Sequence, residues 1–545
     1  MPRANWTKDF TKQSDGKVRV NRSGIPLQPI YTPADETSDE FAEKIGFPGE
    51  EPYTRGIYPS MYLGRGWSRR MLIGLGTPED FNQRQKEMQA QGVTAVNFIP
   101  CNSVFRGYDI DQVDPLLVGT CGTAINTVDD MRIALDGIEI GGVSIGMNDP
   151  SPFTLLAFTL LVAEERGIPW NTLTGTSNQS DFVSHFVANH MFYRLSLEGS
   201  QRVLVDHIKF VSKYMPSWNP LSIVGQHMQQ AGATPAQALA FSLCSAFYYI
   251  DICIANGMQI DDFVHRFTFF YDVSISFFEE AAKFRAGRRI WARLLKERYG
   301  AKNQRSLRFK FHAQTSGVDL TRQQPLNNIA RVAIQGLAAI LGGMQSLHTD
   351  AYDEAFSVPC AEAARIAIMT QNILAEETGA TDVIDPLGGS WYVEQLTDEM
   401  EAKAMKIIEQ VDALGGMFAA VKSGYVQAEI GKSAQEFQDK VESGEQTVVG
   451  VNKYVVKDEP ETRKPVPRPD AAGVQRQYER LAKFKAGRSQ TALQTGLDKL
   501  ARSTQDSSLN IYEAVLDAIR AGASHGEVTG TLRKELGFGQ PLVRL

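Results

Sequence analysis

Residues 221–232 read Leu-Ser-Ile-Val-Gly-Gln-His-Met-Gln-Gln-Ala-Gly. The apolar and partly β-branched segment 221–224 predicts a short buried strand, and a helical pattern begins a few residues after Gly225. His227 therefore closes a strand and opens a loop, which is where a (β/α)8 barrel carries its chemistry. A single His is also typical of a hydrogen-bonded core residue, so both interpretations remain open on this stretch alone.

Composition narrows the class of protein. The 545 residues suffice for one large domain with appendages or for two to three domains. A formal charge of −7 and a pI near 5.8 argue against nucleic-acid binding as the main function. The five Cys and eight His are scattered without a CxxC or HExxH motif, so we expect no metal site. Dispersed cysteines, and an N-terminus without an apolar export segment, favour a cytoplasmic protein.

Strand patterns alternate with amphipathic helical patterns between residues 78 and about 420. The strand candidates are 93–99, 143–147, 170–174, 221–224, 267–273, 307–312 and 345–348. Repeated βα units of this length predict an α/β fold with a parallel sheet, and an eighth unit would close it into a (β/α)8 TIM barrel. The most apolar window, 233–258, is interpreted as buried barrel helix rather than a membrane span.

The rest of the chain flanks this barrel. Residues 1–50 predict an N-terminal arm, either an oligomer contact or a wrap around the barrel, and residues 51–455 form the barrel. Residues 448–456 are apolar and strand-like. Residues 456–473 are rich in Pro and charge, as in a linker, and residues 474–545 have the apolar spacing of a helical tail.

Two patterns suggest a ligand. Residues 55–77 interleave Arg with Tyr, Trp, Gly and Pro, and Arg65, Arg69 and Arg70 could clamp phosphates of a nucleotide-bearing ligand such as coenzyme A. A solvated Arg-rich loop is the alternative. The strand ends collect neutral amides, hydroxyls and imidazoles, with Asp350 and Glu354 as the nearest acids. Such donors suit the orientation of a carbonyl group better than hydrolysis, although each strand end alone is typical of capping.

Several ordered motifs make the chain resemble the adenosylcobalamin-dependent acyl-CoA mutases, the methylmalonyl-CoA mutase group. The resemblance runs from about residue 50 to the C-terminus. The motifs are Tyr58-Pro-Ser-Met-Tyr62 with Arg65 and Trp67, Arg106-Gly-Tyr-Asp109, Met215-Pro-Ser-Trp-Asn219, Gly225-Gln-His-Met-Gln229 with Ala231-Gly-Ala233, His312-Ala-Gln-Thr-Ser-Gly317, Gln345-Ser-Leu-His-Thr349 with Asp353-Glu354, Val383-Ile-Asp-Pro386 and Gly450-Val-Asn-Lys-Tyr454.

The resemblance implies a (β/α)8 barrel with coenzyme A along its axis and a set of site residues. His227 would be the catalytic residue, hydrogen-bonded to the thioester carbonyl during migration. Substrate-binding residues would be Tyr58, Met61, Arg65, Ser68, Arg70, Leu72, Asn97, Thr176, Asn178, Ala188, Arg266, Thr268 and Gln314. Residues facing adenosylcobalamin would be Pro100, Cys121, Gln226, His227, Val318, Glu354 and Ser357. The cofactor carries the radical chemistry, and the protein orients the substrate and excludes water.

Departures from the family pattern refine this expectation. The family's cobalamin-binding motif, Asp-x-His-x-x-Gly, does not occur in the sequence. The chain thus resembles a large subunit that shares the cofactor with a separate small cobalamin-binding subunit. The resemblance also implies an α2β2 heterotetramer and a G-protein chaperone as a further partner. Pro100, Gln226 and Val318 replace aromatic residues of methylmalonyl-CoA mutase on the cofactor side.

The acyl pocket departs from the family pattern at two positions. Leu72 stands where methylmalonyl-CoA mutase has a Tyr, and Ala188 where it has an Arg for the substrate carboxylate, which disfavours a dicarboxylic acyl group. The Leu/Ala pair resembles that of isovaleryl-CoA/pivalyl-CoA mutases, so we expect an uncharged branched acyl-CoA. Isobutyryl-CoA/n-butyryl-CoA and 2-hydroxyisobutyryl-CoA are the alternatives, although Ile99 stands where the hydroxyacyl enzyme has a pocket Asp. A non-catalytic assembly subunit is the alternative of another class.

Overall fold

The computed structural model describes residues 2–74, 76–177, 194–457 and 468–539. The chain forms two compact units, each assembled from separated stretches of sequence. The first unit comprises residues 1–69, 225–251 and 259–463, and the second comprises residues 70–224, 252–258 and 464–545. The boundary after Val224 divides the stretch quoted above, so that its strand belongs to the second unit and His227 to the first.

Short strands recur through the described part of the chain. They are β1 Ser68–Arg70, β2 Ala95–Phe98, β3 Ser144–Met147, β4 Thr174–Ser177, β5 Trp218–Asn219, β6 Leu221–Val224, β7 Phe267–Val273, β8 Phe311–Thr315 and β9 Ser346–His348. All four residues of β2 and of β6 are buried, as are all five of β8, which is typical of parallel strands covered on both faces.

In the first unit the strands run in the order β1–β9–β8–β7. β7 and β8 are parallel, with Phe269 opposite Phe311 and Val273 opposite Thr315. β8 and β9 are also parallel, with His312 opposite Ser346 and Gln314 opposite His348. Because parallel strands end at the same edge, the polar residues that follow β7, β8 and β9 meet on one side of this sheet.

In the second unit the order is β2–β3–β4–β5. β2 and β3 are parallel, with Ala95 opposite Ser144 and Phe98 opposite Met147. β3 and β4 are also parallel, with Ser144 opposite Thr174. The two residues of β5 pair with Gly175 and Thr176 of β4. A glycine is required at 175, because a Cβ there would lie 2.3 Å from the Trp218 ring.

Helices follow the strands and form the two ends of the chain. The longer helices are Pro2–Gln13, Pro78–Ala90, Val128–Ala134, Thr154–Glu165, Leu197–Tyr214, Pro235–Ala255, Phe277–Tyr299, Asn327–Leu341, Ala361–Glu376, Trp391–Ala413, Met417–Lys422, Tyr425–Ser443, Ala471–Gly487, Gln490–Gln505, Ile511–Arg520 and His525–Leu536; the short ones are Asn102–Phe105, Gln226–Gln230 and Ile260–Phe263. This repetition of parallel strands and helices is that of a TIM-barrel-like domain. The predicted α/β class of (β/α)8 type is thereby confirmed.

The N-terminal arm packs on its own unit. Trp6, in a helix that the sequence analysis did not predict, stacks with Phe10 and Phe47, and its indole donates a hydrogen bond to the Pro59 carbonyl (3.1 Å). The arm and the segment around Met61 share one buried cluster: Trp6, Ile30, Phe41, Phe47, Met61, Leu63 and Ile384. The arm therefore contributes to the core of the first unit.

Helix Pro235–Ala255 has the length and hydropathy of a membrane span. In its most apolar window, 72% of the residues are buried within the protein. Such burial is typical of a core helix of a soluble protein, so this helix is weak evidence for a membrane span.

The structure corrects three of the predicted strands. Residues 307–310 precede β8, and Leu307 and Phe309 are buried without belonging to a ladder, so their alternation with basic residues imitates a strand. Trp170–Thr172 is a 3-10 turn, and β4 begins only at Thr174. The segment 448–456 is a turn in which Gly450 N donates to the Lys453 carbonyl (2.8 Å), and four of its five valines are exposed. The short strands β1 and β5 had no sequence signal.

Candidate functional site

His227 lies in the five-residue helix Gln226–Gln230, at the carboxyl end of β6 in the sequence. Gly225 N donates a hydrogen bond to the Phe270 carbonyl (2.8 Å), which brings the start of this helix close to β7. Only glycine fits at 225, because a Cβ would lie 2.4 Å from Ser242 Oγ and 2.9 Å from the Tyr271 ring. Gln226 is buried and His227 is half-buried.

Gln314 and Asp350 meet at the carboxyl ends of β8 and β9. Gln314 Nε2 donates to Asp350 Oδ1 (3.0 Å), and His348 Nε2 lies 3.1 Å from the same oxygen. The Asp350 backbone N–H donates to Thr315 Oγ1 (2.8 Å), which ties the two strand ends together. All four residues are buried, so this edge is rigid and polar. The strand-end pattern pointed to these residues, but their mutual bonds are visible only in the fold.

Three acids follow β9: Asp350, Asp353 and Glu354. A Cβ added to Gly317 would lie 3.4 Å from Asp350 Oδ2 and 3.5 Å from Glu354 Cγ, so both acids lie close to this glycine. Desolvation by the surrounding protein, with the charges of Asp350 and Asp353, raises the pKa of Glu354 to about 8 although part of its side chain is exposed. Asp350 Oδ2 and Asp353 Oδ1 are buried and accept no hydrogen bond from the described residues.

Val318 and Ser357, which were also predicted to face the cofactor, lie beside the same edge of the sheet. Val318, next to Gly317, is 59% exposed. Ser357 is half-buried, and its hydroxyl donates to the Val358 carbonyl (3.2 Å). In the first unit, Gln314 thus lies in β8, Val318 follows β8, and Glu354 and Ser357 follow β9. Gln226 and His227 follow Gly225, which is bonded to Phe270 of β7.

A basic group lies at the opposite, amino ends of β7 and β8, and most of it was missed by the sequence analysis. Its members are His265, Arg266, Arg305, Arg308 and Lys310. The Arg308 guanidinium lies 5.3 Å from the centre of the Tyr58 ring. Nε of Arg266 and Nε of Arg308 are buried without a hydrogen-bond partner among the described residues.

Burial and the neighbouring cations disfavour the charged form of Lys310. Burial, followed by the charges of Arg266, Arg305 and Arg308, lowers the pKa of Lys310 to about 7. The Lys310 ammonium donates to the His265 carbonyl (2.6 Å), and the four Arg and Lys side chains form no ion pair within the described part of the chain. Three basic residues in the six positions 305–310 were the available sequence signal. Such a group attracts an anion.

The remaining predicted residues of the first unit are Met61, Arg65, Ser68 and Thr268. Met61 is buried in the arm cluster, Arg65 is exposed, and Ser68 and Thr268 are half-buried. The Ser68 backbone N–H donates to the Gln345 carbonyl (3.1 Å). Arg69, which the sequence suggested as a phosphate clamp, is bonded instead to Asn372 (2.7 Å) and Glu376 (2.6 Å).

The second unit contains the other predicted residues. Arg70 is buried and donates to Asn97 Oδ1 (2.5 Å) and Ser144 Oγ (2.6 Å), and burial lowers its pKa to about 10. Gly146 permits this contact, because a Cβ there would lie 2.4 Å from Asn97 Oδ1. Thr176 Oγ1 accepts a hydrogen bond from Asn219 (3.0 Å).

Leu72, Pro100 and Cys121 lie in adjacent segments of the second unit, since Ile73 pairs with Phe98. Pro100 forms a β-bridge with Thr123. Gly122, between Cys121 and Thr123, lies so close that a Cβ on it would be 2.0 Å from the Pro100 carbonyl. Pro100 is buried, Leu72 half-buried and Cys121 exposed. Asn178 and Ala188, which were also predicted, lie outside the described residues.

Comparison with known proteins identifies the family. The methylmalonyl-CoA mutase family profile matches residues 20–538. The chain is 39% identical over 534 residues to the 2-hydroxyisobutanoyl-CoA mutase large subunit of Aquincola tertiaricarbonis, covering 97% of this chain and 94% of that one. The chain belongs to the methylmalonyl-CoA mutase family.

Longer members of the methylmalonyl-CoA mutase family match equally well. Methylmalonyl-CoA mutase of Cereibacter sphaeroides is 41% identical over 542 residues, which are 98% of this chain and 75% of the relative. The human mitochondrial methylmalonyl-CoA mutase is 38% identical over 542 residues, which are 98% of this chain and 71% of the relative. These relatives are isomerases of a cobalamin-dependent family, so the chain is an acyl-CoA mutase of the isomerase class.

Proposed function

We propose that this chain is the substrate-binding large subunit of a cytoplasmic, adenosylcobalamin-dependent mutase that rearranges an uncharged branched acyl-CoA, with isovaleryl-CoA to pivalyl-CoA as the best candidate. The observation that carries the proposal is the contrast between the two ends of the first unit's strands. Arg266 and Arg308, whose Nε atoms have no hydrogen-bond partner among the described residues, lie at the amino ends. The uncharged amides of Gln226 and Gln314 lie at the carboxyl ends, where the charged groups of the described site are the acids that follow β9. The seven residues of β7 span about 23 Å at about 3.3 Å per residue. A ligand with phosphates at one end and a long neutral arm matches this arrangement.

The proposed role of His227 is to donate a hydrogen bond to the thioester carbonyl while that group migrates to the neighbouring carbon. Gln314 would contact the same acyl portion. Its amide is oriented by the 3.0 Å bond to Asp350, so it does not need to reorganise during reaction. A site of this kind orients the substrate and excludes water, and it needs no strong general base.

The residues at the carboxyl ends fit an adenosylcobalamin. Asp350 Oδ2 and Asp353 Oδ1 are buried acceptors without donors among the described residues, and a nucleoside or a corrin amide would supply donors. Val318 offers an exposed apolar surface beside them, and Gln226, Glu354 and Ser357 complete the polar border on this unit. When bound, the cofactor supplies the radical that removes a hydrogen atom from the substrate methyl group. The protein's own groups would hold the cofactor by hydrogen bonds.

A separate small subunit is proposed to bring the cobalamin. The supporting observation is that a relative covered to 94% of its length is itself named a large subunit. By the same resemblance we propose an α2β2 assembly and service by a G-protein chaperone.

The substrate proposal rests on Leu72 and Ala188. An apolar pair in place of a Tyr and an Arg would accept one more methyl group and would leave a carboxylate unpaired. The alternative, 2-hydroxyisobutyryl-CoA, is favoured by the 39% identity to the Aquincola tertiaricarbonis protein. Against it, Ile99 has no polar atom with which to bond a substrate hydroxyl.

The test combines the purified chain, its small subunit and adenosylcobalamin. Turnover of isovaleryl-CoA, isobutyryl-CoA, 2-hydroxyisobutyryl-CoA and methylmalonyl-CoA is compared by separation of the product CoA esters. We expect isovaleryl-CoA to be turned over fastest. In I99D, turnover of 2-hydroxyisobutyryl-CoA should rise relative to isobutyryl-CoA, which serves as the matched control without a hydroxyl. Preference of the wild-type enzyme for the hydroxyacyl substrate would reject the two-residue argument, and binding without turnover of any ester would favour a non-catalytic subunit.

A further inference from the structure

The helix that carries His227 is too short to hold itself in place. It spans five residues, Gln226–Gln230, and such a helix forms few backbone bonds of its own. Inside it, Gln229 N donates to the Gly225 carbonyl (3.1 Å), and after it Ala231 N donates to the His227 carbonyl (3.0 Å). The orientation of this helix, and with it the position of His227, therefore depends on contacts that join the helix to its surroundings, and side chains supply several of them.

Gln229 is such an anchor, and both ends of its amide are held. Gln229 Nε2 donates to Glu280 Oε1 (2.6 Å), and Gln229 Oε1 accepts from Lys283 Nζ (3.0 Å). Glu280 and Lys283 belong to helix Phe277–Tyr299, and they form an ion pair with fully buried side chains. Because one partner accepts and the other donates, the amide has only one favourable orientation.

The pair itself is held by the end of β7. Lys283 also donates to the Asp272 carbonyl (2.8 Å), so its ammonium is hydrogen-bonded to both Gln229 and Asp272 while it pairs electrostatically with Glu280. Glu280 Oε1 accepts from the backbone N–H (3.0 Å) and the hydroxyl (2.7 Å) of Ser274. A buried ion pair with this many hydrogen bonds holds its geometry.

Gln230, next to Gln229, joins the helix to the side of the sheet where Asp350 and Glu354 lie. Gln230 Nε2 donates to Asp272 Oδ1 (2.9 Å), and burial raises the pKa of Asp272 well above its ordinary value. Gln230 also lies near the position of a Cβ on Gly317 (4.0 Å), beside Asp350 and Glu354. The helix is thus joined to the ends of β7 and β8 as well as to helix Phe277–Tyr299.

We propose that Gln229, clamped by the Glu280–Lys283 ion pair, is the positioning residue for His227. Residues two apart on a helix point about 200° from each other, at about 100° per residue. Gln229 is buried toward the ion pair, and His227 is half-buried on the other side of the helix. Rotation of the short helix about its axis therefore moves the imidazole, and the Gln229 amide prevents that rotation. The inference rests on the proposed function, in which His227 contacts the thioester carbonyl.

The first test is a double-mutant cycle in the reconstituted holoenzyme, with the acyl-CoA that it turns over fastest. Q229M removes the amide and leaves the ion pair in place. We expect kcat to fall about 10-fold to 100-fold, the range for a misplacement of about 1 Å, with a much smaller change in KM. In an H227A background, Q229M should change kcat less than about twofold, because the residue to be positioned is gone. E279Q, which removes a carboxylate one residue from Glu280 and outside the Gln229 contacts, is the matched control and should leave kcat unchanged.

The second test does not depend on activity. Histidine-selective NMR of the full chain, with the His227 signal assigned from H227A, reports the imidazole's chemical shift and titration. Both should change in Q229M and remain unchanged in E279Q. An unchanged His227 signal in Q229M, or an equal loss of kcat in Q229M with and without His227, overturns the inference. If H227A itself retains full activity, the proposed role of His227 fails, while the NMR comparison still decides whether Gln229 positions the imidazole.

Discussion

Replacement of Arg308 by Leu tests the proposed anion-binding end of the first unit. The guanidinium lies 5.3 Å from the Tyr58 ring centre, and its Nε has no hydrogen-bond partner among the described residues. A hydrogen bond from a charged group contributes about 1.5–3 kcal/mol. Arg308 is half-buried, so solvent screening favours the lower end of that range, and about 1.4 kcal/mol corresponds to a factor of ten in Kd. R308L should therefore weaken coenzyme A binding about tenfold.

Isothermal titration of the full chain with coenzyme A measures this change. The binding of wild-type protein should weaken between low and high salt, and R308L should show a smaller salt dependence because it lacks one phosphate contact. S-acetyl-pantetheine has no phosphate, so its weaker binding should not respond to R308L. K302M removes an exposed cation from the same loop and serves as the matched control.

Two results would refute this reasoning. An unchanged Kd for coenzyme A in R308L would show that the basic group does not contact the phosphates. An equal loss of affinity for coenzyme A and S-acetyl-pantetheine would show that Arg308 acts on folding or on Tyr58 and not on an anion.

Further predictions concern two titratable groups and one glycine. Lys310, with its pKa lowered to about 7, loses its proton as the pH rises through neutrality, so coenzyme A affinity should fall between pH 6 and 8.5, and K310M should lack this step in the same titration. Glu354, with its pKa raised from 4.5 to about 8, binds its proton more tightly in the folded than in the unfolded chain. Its contribution to stability is therefore complete below pH 4.5 and lost as the pH rises to 8, so in thermal melts E354Q should lose less stability than the wild type between pH 5 and 8. G146A would place a Cβ 2.4 Å from Asn97 Oδ1 and should lower stability by about 1–3 kcal/mol. In G142A, where the nearest atom lies at 3.9 Å, the melting temperature should be unchanged; equal melting of both variants would contradict the assigned clash.

Much of the fold could be predicted because its strands are buried on both faces. The segments 221–224 and 267–273 are mostly apolar, and the structure has strands with the same bounds, Leu221–Val224 and Phe267–Val273. The strand predicted over residues 448–456 was wrong, since a turn rich in mostly exposed valines has the same local composition as a strand. The two-residue strand Trp218–Asn219 is too short to create any periodic pattern.

The candidate site was predictable only where residue type alone was informative. Amides and imidazoles at strand ends pointed to Gln314 and His227, and the family motifs supplied the rest. Which arginines are available to a ligand could not be predicted. Arg69 and Arg70 are engaged by side chains of their own units, while Arg308 has no hydrogen bond to the described residues. This difference depends on neighbours far away in the sequence.

The sequence by itself determined the α/β class, the family and the identity of the residues at the strand ends, because periodicity and motifs are local properties of the chain. Tertiary structure alone decided how those residues are held and charged. The Gln229 amide meets Glu280 51 residues later, and the pKa of Glu354 depends on desolvation and on Asp350 and Asp353 around it. Hydrogen-bond geometry and desolvation depend on the packing of distant segments, and no pattern within a single segment encodes them.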